Sequence, residues 1–311
     1  MMSDMIITVD NLMKSYKDLP VLKGVNFTVK RGGIFALLGS NGAGKTTTVK
    51  ILSTLLTADS GEVEIDGIGI NHPKKVKEKI SLTGQYASVD EMLTGRENMD
   101  MICDLRGVEN KKQLVESLLN QFELAKSADR KVSTYSGGMR RKLDIAMSLI
   151  GNPAVIFLDE PTTGLDPQSR LVLWDTIKTL AEIGTTIFLT TQYLEEAERL
   201  ADYIAILNEG MIIAEGTTEE LKKSMPSNVI EFSFEDFSEM EKARGLLQDY
   251  KVRADKDGLR LAVAVNNGID QLTEVLNDLK KGCINVSHFE QKLPTLEDVF
   301  LNLINEKERL A

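Results

Sequence analysis

Short apolar and β-branched runs alternate, over the first 225 residues, with longer stretches whose apolar positions recur every three or four residues. The short runs predict strands at residues 6–9, 25–29, 34–38, 62–66, 80–84, 154–158, 185–190, 203–207 and 211–215. The longer stretches predict helices at residues 44–56, 97–106, 111–122, 138–150, 168–182 and 193–200. Strands that alternate with helices indicate an α/β fold, with a largely parallel sheet covered by helices.

The pattern changes after residue 225, which predicts a domain boundary there. Residues 229–234, 259–265 and 283–289 read as strands, and residues 238–247, 269–279 and 295–304 as helices. We therefore expect two domains, a larger one at 1–225 and a small α/β accessory domain at 226–311. The accessory domain shows no catalytic constellation, so a dimerisation or regulatory role is the simplest interpretation.

Composition narrows the classes of protein that need considering. The net charge of -10 over 311 residues disfavours a nucleic-acid partner. No window reaches the ~18 apolar residues of a membrane span, and the N-terminus lacks the basic region of a signal peptide. Cys103 and Cys283 lie far apart and at no metal-ligand spacing, which indicates a reduced, cytoplasmic protein. Any link to a membrane is therefore expected to come through a partner.

A glycine-rich segment after the strand at 34–38 fits the eight-position phosphate-binding loop, and it opens a helix. It consists of Gly39, Ser40, Asn41, Gly42, Ala43, Gly44, Lys45 and Thr46. Its backbone amides and the helix dipole favour phosphate oxygens, with Lys45 as a cation for the β- and γ-phosphates. Thr46 is placed to ligate Mg²⁺, and Thr47 to reach the α-phosphate. The alternative is a glycine-rich turn that binds nothing.

A second candidate element is the apolar strand that ends in Asp159 and Glu160. Asp159 is expected to hold the Mg²⁺ shell through water, and Glu160 to polarise the water that attacks the γ-phosphate. The alternative is a buried strand that ends in acids at an ordinary loop.

Between these motifs, Ser136, Gly137 and Gly138 precede a basic helix start, which indicates a second anion-binding helix N-terminus. One triphosphate needs only one cradle. The second anion site therefore suggests that phosphate is gripped from an opposing subunit.

At this point the sequence resembles the ATP-binding subunits of ATP-binding cassette (ABC) transporters. Residues 135–139 match the family's signature pentapeptide, with Tyr135 for the usual leucine and Met139 for the usual glutamine. The resemblance runs from residue 6 to about residue 217. It implies a P-loop NTPase fold with a RecA-like, mostly parallel sheet, an antiparallel β subdomain and a helical subdomain at about 86–152, and it implies ATP and Mg²⁺ as ligands.

The resemblance also assigns expected roles to single residues. Tyr16 would stack on adenine, and Gln85 would touch Mg²⁺ and sense the membrane subunit. Residues 136–138 would contact the γ-phosphate held by the partner chain, and Asp166 would lie at the dimer seam. The alternatives are a half-buried tyrosine at 16, a surface glutamine at 85 and a helix-capping acid at 166, the last being compatible with the seam role.

One departure from the family pattern bears on catalysis. After the strand at 185–190 the family usually has a histidine, and in this chain Gln192 follows; the histidines of the chain are His72 and His288. A glutamine amide can bond a γ-phosphate oxygen but cannot become a cation. Hydrolysis with Glu160 as the main water-activating group is still expected, and a merely polar residue before a helix is the alternative for Gln192.

Gln192 with residues 193–197, together with residues 294–300, resembles the ATPases of daunorubicin-resistance-type multidrug exporters. The resemblance implies a separate integral membrane permease, and we expect this permease to hold the chain at the inner face of the cell membrane. Our hypothesis for the assembly is a homodimer that closes head-to-tail around two ATP. A drug-like or other hydrophobic compound would be exported. A soluble, nucleotide-dependent regulatory switch and an importer ATPase are the alternatives.

Overall fold

The computed structural model describes residues 4–85, 87–223, 229–255, 257–265, 268–292 and 294–310, with side chains as far as residue 303. Contacts divide the chain into two compact units between residues 217 and 218. Residues 225 and 226, where the sequence places the boundary, and residue 86, where the helical subdomain is expected to start, lie outside the described residues.

The first unit combines strands and helices along its whole length. In chain order they are β1 Met5–Tyr16, β2 Leu19–Lys30, β3 Ile34–Leu38, α1 Lys45–Leu52, β4 Ser60–Ile65, β5 Ile68–Gly69, α2 Pro73–Lys79, β6 Ile80–Thr83, α3 Gly95–Arg106, α4 Lys111–Gln121, α5 Gly137–Ser148, β7 Val155–Asp159, α6 Pro167–Glu182, β8 Thr186–Thr191, α7 Leu194–Leu200, β9 Tyr203–Asn208 and β10 Met211–Gly216.

The central sheet has six strands in the order β10-β9-β3-β8-β7-β6. All neighbours from β9 to β6 pair in parallel, and β10 is antiparallel to β9 at the edge. Every residue of β3, β7 and β8 is buried, as their apolar sequences require. The largely parallel sheet expected from the sequence is confirmed. Because parallel strands end at one edge, the residues that follow β3, β6, β7 and β8 lie along the same side of the sheet.

A second sheet in this unit is antiparallel, with the order β2-β1-β4-β5. Its inner face joins the central sheet through aromatic contacts, with Phe27 stacked on Phe35 and Phe35 stacked on Phe188. Strands β1 and β2 are longer than the apolar runs at 6–9 and 25–29, because pairing continues through exposed polar residues. Register shifts near Asn11, which has a φ of 46°, break the alternation that would reveal this length in the sequence.

Helices α3, α4 and α5 pack on one another in the region expected to be helical. Thr94 and Glu97 form a capping box at the start of α3, so the helix begins two residues before the predicted residue 97. Helix α1 ends at Leu52 rather than at residue 56, because Thr54 takes a left-handed φ of 59° and the Thr54 and Leu55 amides donate back to Ile51 O and Lys50 O. Helix α2 is short and was not among the predicted helices.

The second unit contains α8 Thr218–Lys223, β11 Val229–Ser233, α9 Phe237–Leu246, β12 Val252–Asp255, β13 Arg260–Ala264, α10 Gly268–Lys281, β14 His288–Lys292 and α11 Leu296–Leu310. The sheet order is β12-β13-β11-β14 with antiparallel neighbours, which is a split βαβ arrangement. One face of the sheet packs against apolar side chains of α9 and α10. Helix α8 packs against α11, so the second unit begins at residue 218, the first residue of α8.

One prediction for this unit was wrong in detail, and one strand was missed. The strand predicted at 283–289 begins only at His288, because Cys283 and Ile284 donate backbone hydrogen bonds to Lys280 O and Leu279 O and end helix α10. Strand β12 was not predicted, since its four residues alternate between half-buried and exposed positions without a strongly apolar run. Within the described ranges, no helix combines the length and the apolar character that crossing a bilayer requires.

Candidate functional site

The loop from Gly39 to Gly44 joins β3 to α1, as the sequence predicts. The Gly39 amide donates to Thr191 O at 3.1 Å, and a Cβ at Gly39 would overlap the backbone carbonyl of Leu207. Gly44, at the start of α1, has a φ of 112°, which favours glycine. The close packing and the left-handed turn fix the loop at the carboxyl edge of the central sheet.

Lys45 lies inside this loop. Its side chain is 4% exposed, and Nζ donates to Gly39 O at 2.9 Å and to Ser40 O at 3.1 Å. Nζ also lies 3.2 Å from the carboxylate Oε1 of Glu160. The loop thus wraps around one buried ammonium group, which is the arrangement needed to hold an anion at a helix N-terminus.

Asp159, at the end of β7, is held by two hydroxyl groups. Thr190 Oγ1 donates to Asp159 Oδ1 at 2.6 Å, and Thr46 Oγ1 lies at 3.4 Å from the same oxygen. The contact with Thr46 joins the end of β7 to the first turn of α1. Thr190 was missed, because a threonine inside a β-branched strand carries no sign of its neighbour in the sheet.

The donor atoms at this point fit Mg²⁺. They are hard oxygen atoms of Thr46 and Asp159, which Mg²⁺ prefers together with water and phosphate oxygens. Within the described part of the chain, no cluster of three or more His, Cys, Asp or Glu side chains could hold a metal ion by protein ligands alone. A cation here would share its coordination with water and a phosphate-bearing ligand.

Glu160 has an unusual backbone. Its φ is 49°, in the left-handed region, where a non-glycine residue is strained by about 1–3 kcal/mol. Its N–H donates to Thr190 O and to Thr190 Oγ1, both at 3.1 Å, and Thr163 Oγ1 donates to Oε2 at 3.3 Å. These bonds hold the strained conformation and direct the carboxylate towards Lys45.

Gln85 and Gln192 lie along the same edge. Gln85 follows β6 and is exposed, and Gln192 follows β8 and is half-buried. Tyr16 is the last residue of β1 and is 45% exposed. Lys45 pairs with Glu160, and Thr46 contacts Asp159. Thr190 connects the two pairs, because its hydroxyl contacts both the Glu160 N–H and Asp159 Oδ1. Among the described residues, no hydrogen bond or ion pair joins Gln85, Gln192 or Tyr16 to this group.

The segment before α5 has a buried anchor and an exposed end. The ring of Tyr135 is buried, and its hydroxyl donates to Ser127 O at 2.7 Å. Ser136 caps the helix by accepting from the Met139 N–H at 3.2 Å, and both Ser136 and Gly137 are exposed. Gly138 packs against α6, where a Cβ would come within 3.0 Å of Ser169 Oγ. The helix N-terminus therefore faces outward, where it is open to an anion.

Asp166 caps α6, as the capping alternative predicts. Its carboxylate accepts from the Ser169 N–H at 2.9 Å and from the Ser169 hydroxyl at 2.6 Å. These hydrogen bonds hold the pKa of Asp166 below its usual range, and the bond from the Ser169 hydroxyl contributes most. Asp166 is exposed, so it stays available to a second molecule.

Beneath the site lies a buried ion pair on α5. Arg141 and Asp144 are about 5% exposed, and Arg141 Nη1 lies 3.3 Å from Asp144 Oδ2. Burial raises the pKa of Asp144 to about 6, although Arg141 and the Ser88 backbone amide oppose the shift. The sequence signal was an arginine and an aspartate three positions apart on one helix, a spacing that is also common at exposed positions.

Replacing Asp144 by asparagine is expected to change how stability depends on pH. Since the native pKa of about 6 exceeds the value of 3.8 in an unfolded chain, the native state binds the extra proton between these values. The free energy of unfolding of the unsubstituted chain should therefore fall as pH rises from 4 to 7. This fall should exceed that of Asp144→Asn by on the order of 2–3 kcal/mol. Urea unfolding at four pH values measures this difference, with the exposed Asp175→Asn as control. Parallel curves for the chain and Asp144→Asn would contradict the assignment.

Glu196, in α7, is a second buried acid that the sequence did not single out. Its Oε1 accepts from Trp174 Nε1 at 2.9 Å, and its side chain is fully buried. Burial raises its pKa, and hydrogen bonding by Thr191, Trp174 and Thr162 works against the rise. Glu196 thus fixes α7, which begins shortly after Gln192, against α6.

Comparisons with known proteins agree with this geometry. Residues 22–163 match the family model of the ABC transporter, and residues 216–304 match that of the ATP-binding protein DrrA1-3-like, C-terminal domain. The chain is 41% identical to the daunorubicin resistance ATP-binding protein DrrA3 of Streptomyces coeruleorubidus, over 99% of both chains. It is 42% identical to the daunorubicin/doxorubicin resistance ATP-binding protein DrrA of Streptomyces peucetius, over 96% of this chain and 92% of that one.

A solved structure is also similar. It is a dimeric ATP-binding cassette in a post-hydrolysis state, bound to ADP and Pi, with a TM-score of 0.61 and 27% identity over 68% of this chain and 98% of that one. The likeness confirms the fold class expected from the sequence.

Proposed function

Because this chain belongs to the ATP-binding proteins of ABC transporters, and is an ATPase of that type, we propose that it powers export of a drug-like or other hydrophobic compound through a separate membrane permease. The observation that carries the ATP-binding part of this proposal is the pair of helix N-termini in the first unit, one around buried Lys45 and the other at exposed Ser136. The likeness to drug-resistance ATP-binding proteins extends over both units. It favours the exporter subunit over a soluble regulatory switch.

ATP is the ligand that suits the loop. The amides of residues 39–44 and the Lys45 ammonium bind the β- and γ-phosphates, and Thr47 lies one residue further into α1 for the α-phosphate. Tyr16 is accessible at the end of β1 and stacks on adenine. Thr46, Asp159 and Gln85 would hold Mg²⁺, with Asp159 acting through water, and the bound ion would neutralise developing negative charge on the phosphates.

The proposed assembly is a homodimer around two ATP. Ser136, Gly137 and Gly138 begin a helix that faces outward, which suits contact with the γ-phosphate held by a second copy, and Asp166 lies at the seam. The similar structure that is dimeric and bound to ADP and Pi supports this arrangement. A dimer that closes on ATP and opens after hydrolysis transmits movement to a permease, which holds the cytoplasmic chain at the inner face of the membrane.

Glu160 is the base in this proposal. Its carboxylate is 3.2 Å from Lys45 Nζ and is held by Thr163. When the phosphates of ATP take up the charge of Lys45, the Glu160 carboxylate becomes free to accept a proton from the attacking water. Gln192, at the end of the neighbouring strand β8, donates a hydrogen bond to the γ-phosphate and stays neutral throughout.

Replacing Gln192 by alanine tests this last role. The change removes an amide donor and leaves the cradle intact, so we expect kcat for ATP hydrolysis to fall about 10-fold while Kd for ATP changes less than about 2-fold. Steady-state phosphate release and calorimetric ATP binding measure the two quantities. Gln113→Ala, at an exposed position of α4, is the matched control. An unchanged kcat in Gln192→Ala would contradict the role.

The export proposal is tested in cells that produce the chain together with a candidate permease, such as a polytopic membrane protein from a neighbouring reading frame. Efflux of fluorescent daunorubicin is compared between the unsubstituted chain and Glu160→Gln. Efflux that needs both the permease and Glu160, with co-purification of the two proteins in detergent, would support the proposal. Recovery with ribosomes and no membrane protein would favour the regulatory switch instead.

A further inference from the structure

Helix α5 carries Ser136 at its start and, in its second turn, a buried arginine whose bonds leave the helix. Arg141 is 4% exposed; Nη1 donates to Gly84 O at 2.6 Å and Nε to Pro161 O at 2.9 Å. Gly84 is the residue before Gln85, and Pro161 is the residue after Glu160. One guanidinium group therefore joins α5 to the backbone beside two proposed site residues.

Asp144 completes this arrangement. It lies 3.3 Å from Arg141, and the backbone amide of Ser88 stabilises its charged form. The two side chains therefore interact with the backbone at Gly84 and at Ser88, on both sides of Gln85. We call residues 84, 85, 87 and 88 the Gln85 loop.

The geometry needs an arginine. A guanidinium group is planar and donates in fixed directions, so Nη1 and Nε reach two carbonyls at once, whereas the single ammonium of lysine acts as a point charge. Hydrogen bonds to a buried charged group stabilise more than neutral ones. We call the two hydrogen bonds from Arg141 to Gly84 O and Pro161 O the Arg141 tie. The tie is therefore strong, and it does not depend on the side chains at positions 84 and 161.

We propose that Arg141, oriented by Asp144, is a positioning residue that ties the Gln85 loop and the end of β7 to α5, so that movement of Gln85 is passed to Ser136. The inference rests on the proposed function, in which Gln85 meets the nucleotide of its own chain and Ser136 meets that of the partner. Through the tie, the nucleotide bound at Gln85 then changes how strongly Ser136 of the same subunit binds the ATP held by the partner.

The first test needs no nucleotide. Hydrogen exchange of the Gln85 loop is measured in Arg141→Lys and in Arg140→Lys, a matched control on the same helix whose partners are Glu91 and Ser133 O. We expect exchange in the loop to rise at least ~10-fold in Arg141→Lys alone, with α1 and β7 still protected. If Arg141→Lys fails to fold, Asp144→Asn serves in its place, with a smaller rise. Unchanged loop exchange in a folded variant overturns the tie.

The second test asks whether the tie passes movement of Gln85 to Ser136. In a Glu160→Gln background, ATP-driven dimerisation is measured by gel filtration with and without Arg141→Lys. We expect Arg141→Lys to raise the protein concentration at which half of the chain is dimeric at least ~10-fold. The Kd of the monomer for ATP should change less than about 2-fold. Dimerisation at the same concentration overturns transmission. If Glu160→Gln alone forms no dimer with ATP, the proposed assembly fails, and the exchange result still decides whether the tie exists.

Discussion

Replacing Glu160 by glutamine should abolish ATP turnover and leave ATP binding intact. Glutamine keeps the size of the side chain, and the backbone bonds to Thr190 remain, but an amide cannot accept the proton of the attacking water. General-base catalysis contributes about 10²–10⁴-fold, so kcat should fall at least ~100-fold. The substitution also removes the carboxylate that competes with phosphate for Lys45, so Kd for ATP should stay equal or decrease.

The same variant should trap the closed dimer, because hydrolysis is the step that reopens it. Phosphate release, calorimetric ATP binding and gel filtration with ATP measure the three properties. Glu182→Gln, at an exposed position at the end of α6, is the matched control and should behave as the unsubstituted chain. Normal turnover in Glu160→Gln would remove Glu160 from the mechanism.

Replacing Lys45 by alanine should cost most of the affinity for ATP. The ammonium is the buried cation at the centre of the loop, and its removal leaves Gly39 O and Ser40 O without their donor and Glu160 without its counter-ion. A carboxylate left facing the phosphates would repel them. We expect Kd for ATP to rise at least ~100-fold, equivalent to about 3 kcal/mol.

Calorimetric titration with ATP measures this loss, and thermal unfolding without nucleotide checks that the variant is folded. Lys50→Ala, at an exposed position in the last turn of the same helix, is the control. An unchanged Kd in a folded Lys45→Ala variant would show that the loop is not the phosphate cradle.

Local sequence information predicted the parts of the site that lie on one loop or one strand end. The glycines, Lys45 and Thr46 follow each other directly, and Asp159 and Glu160 end an apolar run, so their spacing reveals them. The order of the strands was not visible in the sequence, because it depends on which runs pair across the sheet. The contact between Asp159 and Thr190 depends on that order.

Arg141 shows why the remaining contacts could not be predicted. Its partners are the backbone carbonyls of Gly84 and Pro161, and a carbonyl is the same at every position. The early end of α1 and the late start of β14 also depend on backbone turns, at Thr54 and Cys283, that the apolar pattern does not record. Patterns of side chains predict elements, whereas bonds to the main chain appear only in the folded structure.

The hydroxyl of Tyr135 occupies space that a larger residue on α3 would need. A Cβ at Gly95 would overlap this hydroxyl and would lie 3.3 Å from the ring atom Cζ. Leucine at position 135, the residue usual in the wider family, has no atom there. Across related sequences, positions 95 and 135 should therefore covary: glycine at 95 should accompany tyrosine at 135, and larger residues at 95 should be found where 135 is leucine. An alignment in which these two positions vary independently would show that the helices adjust instead.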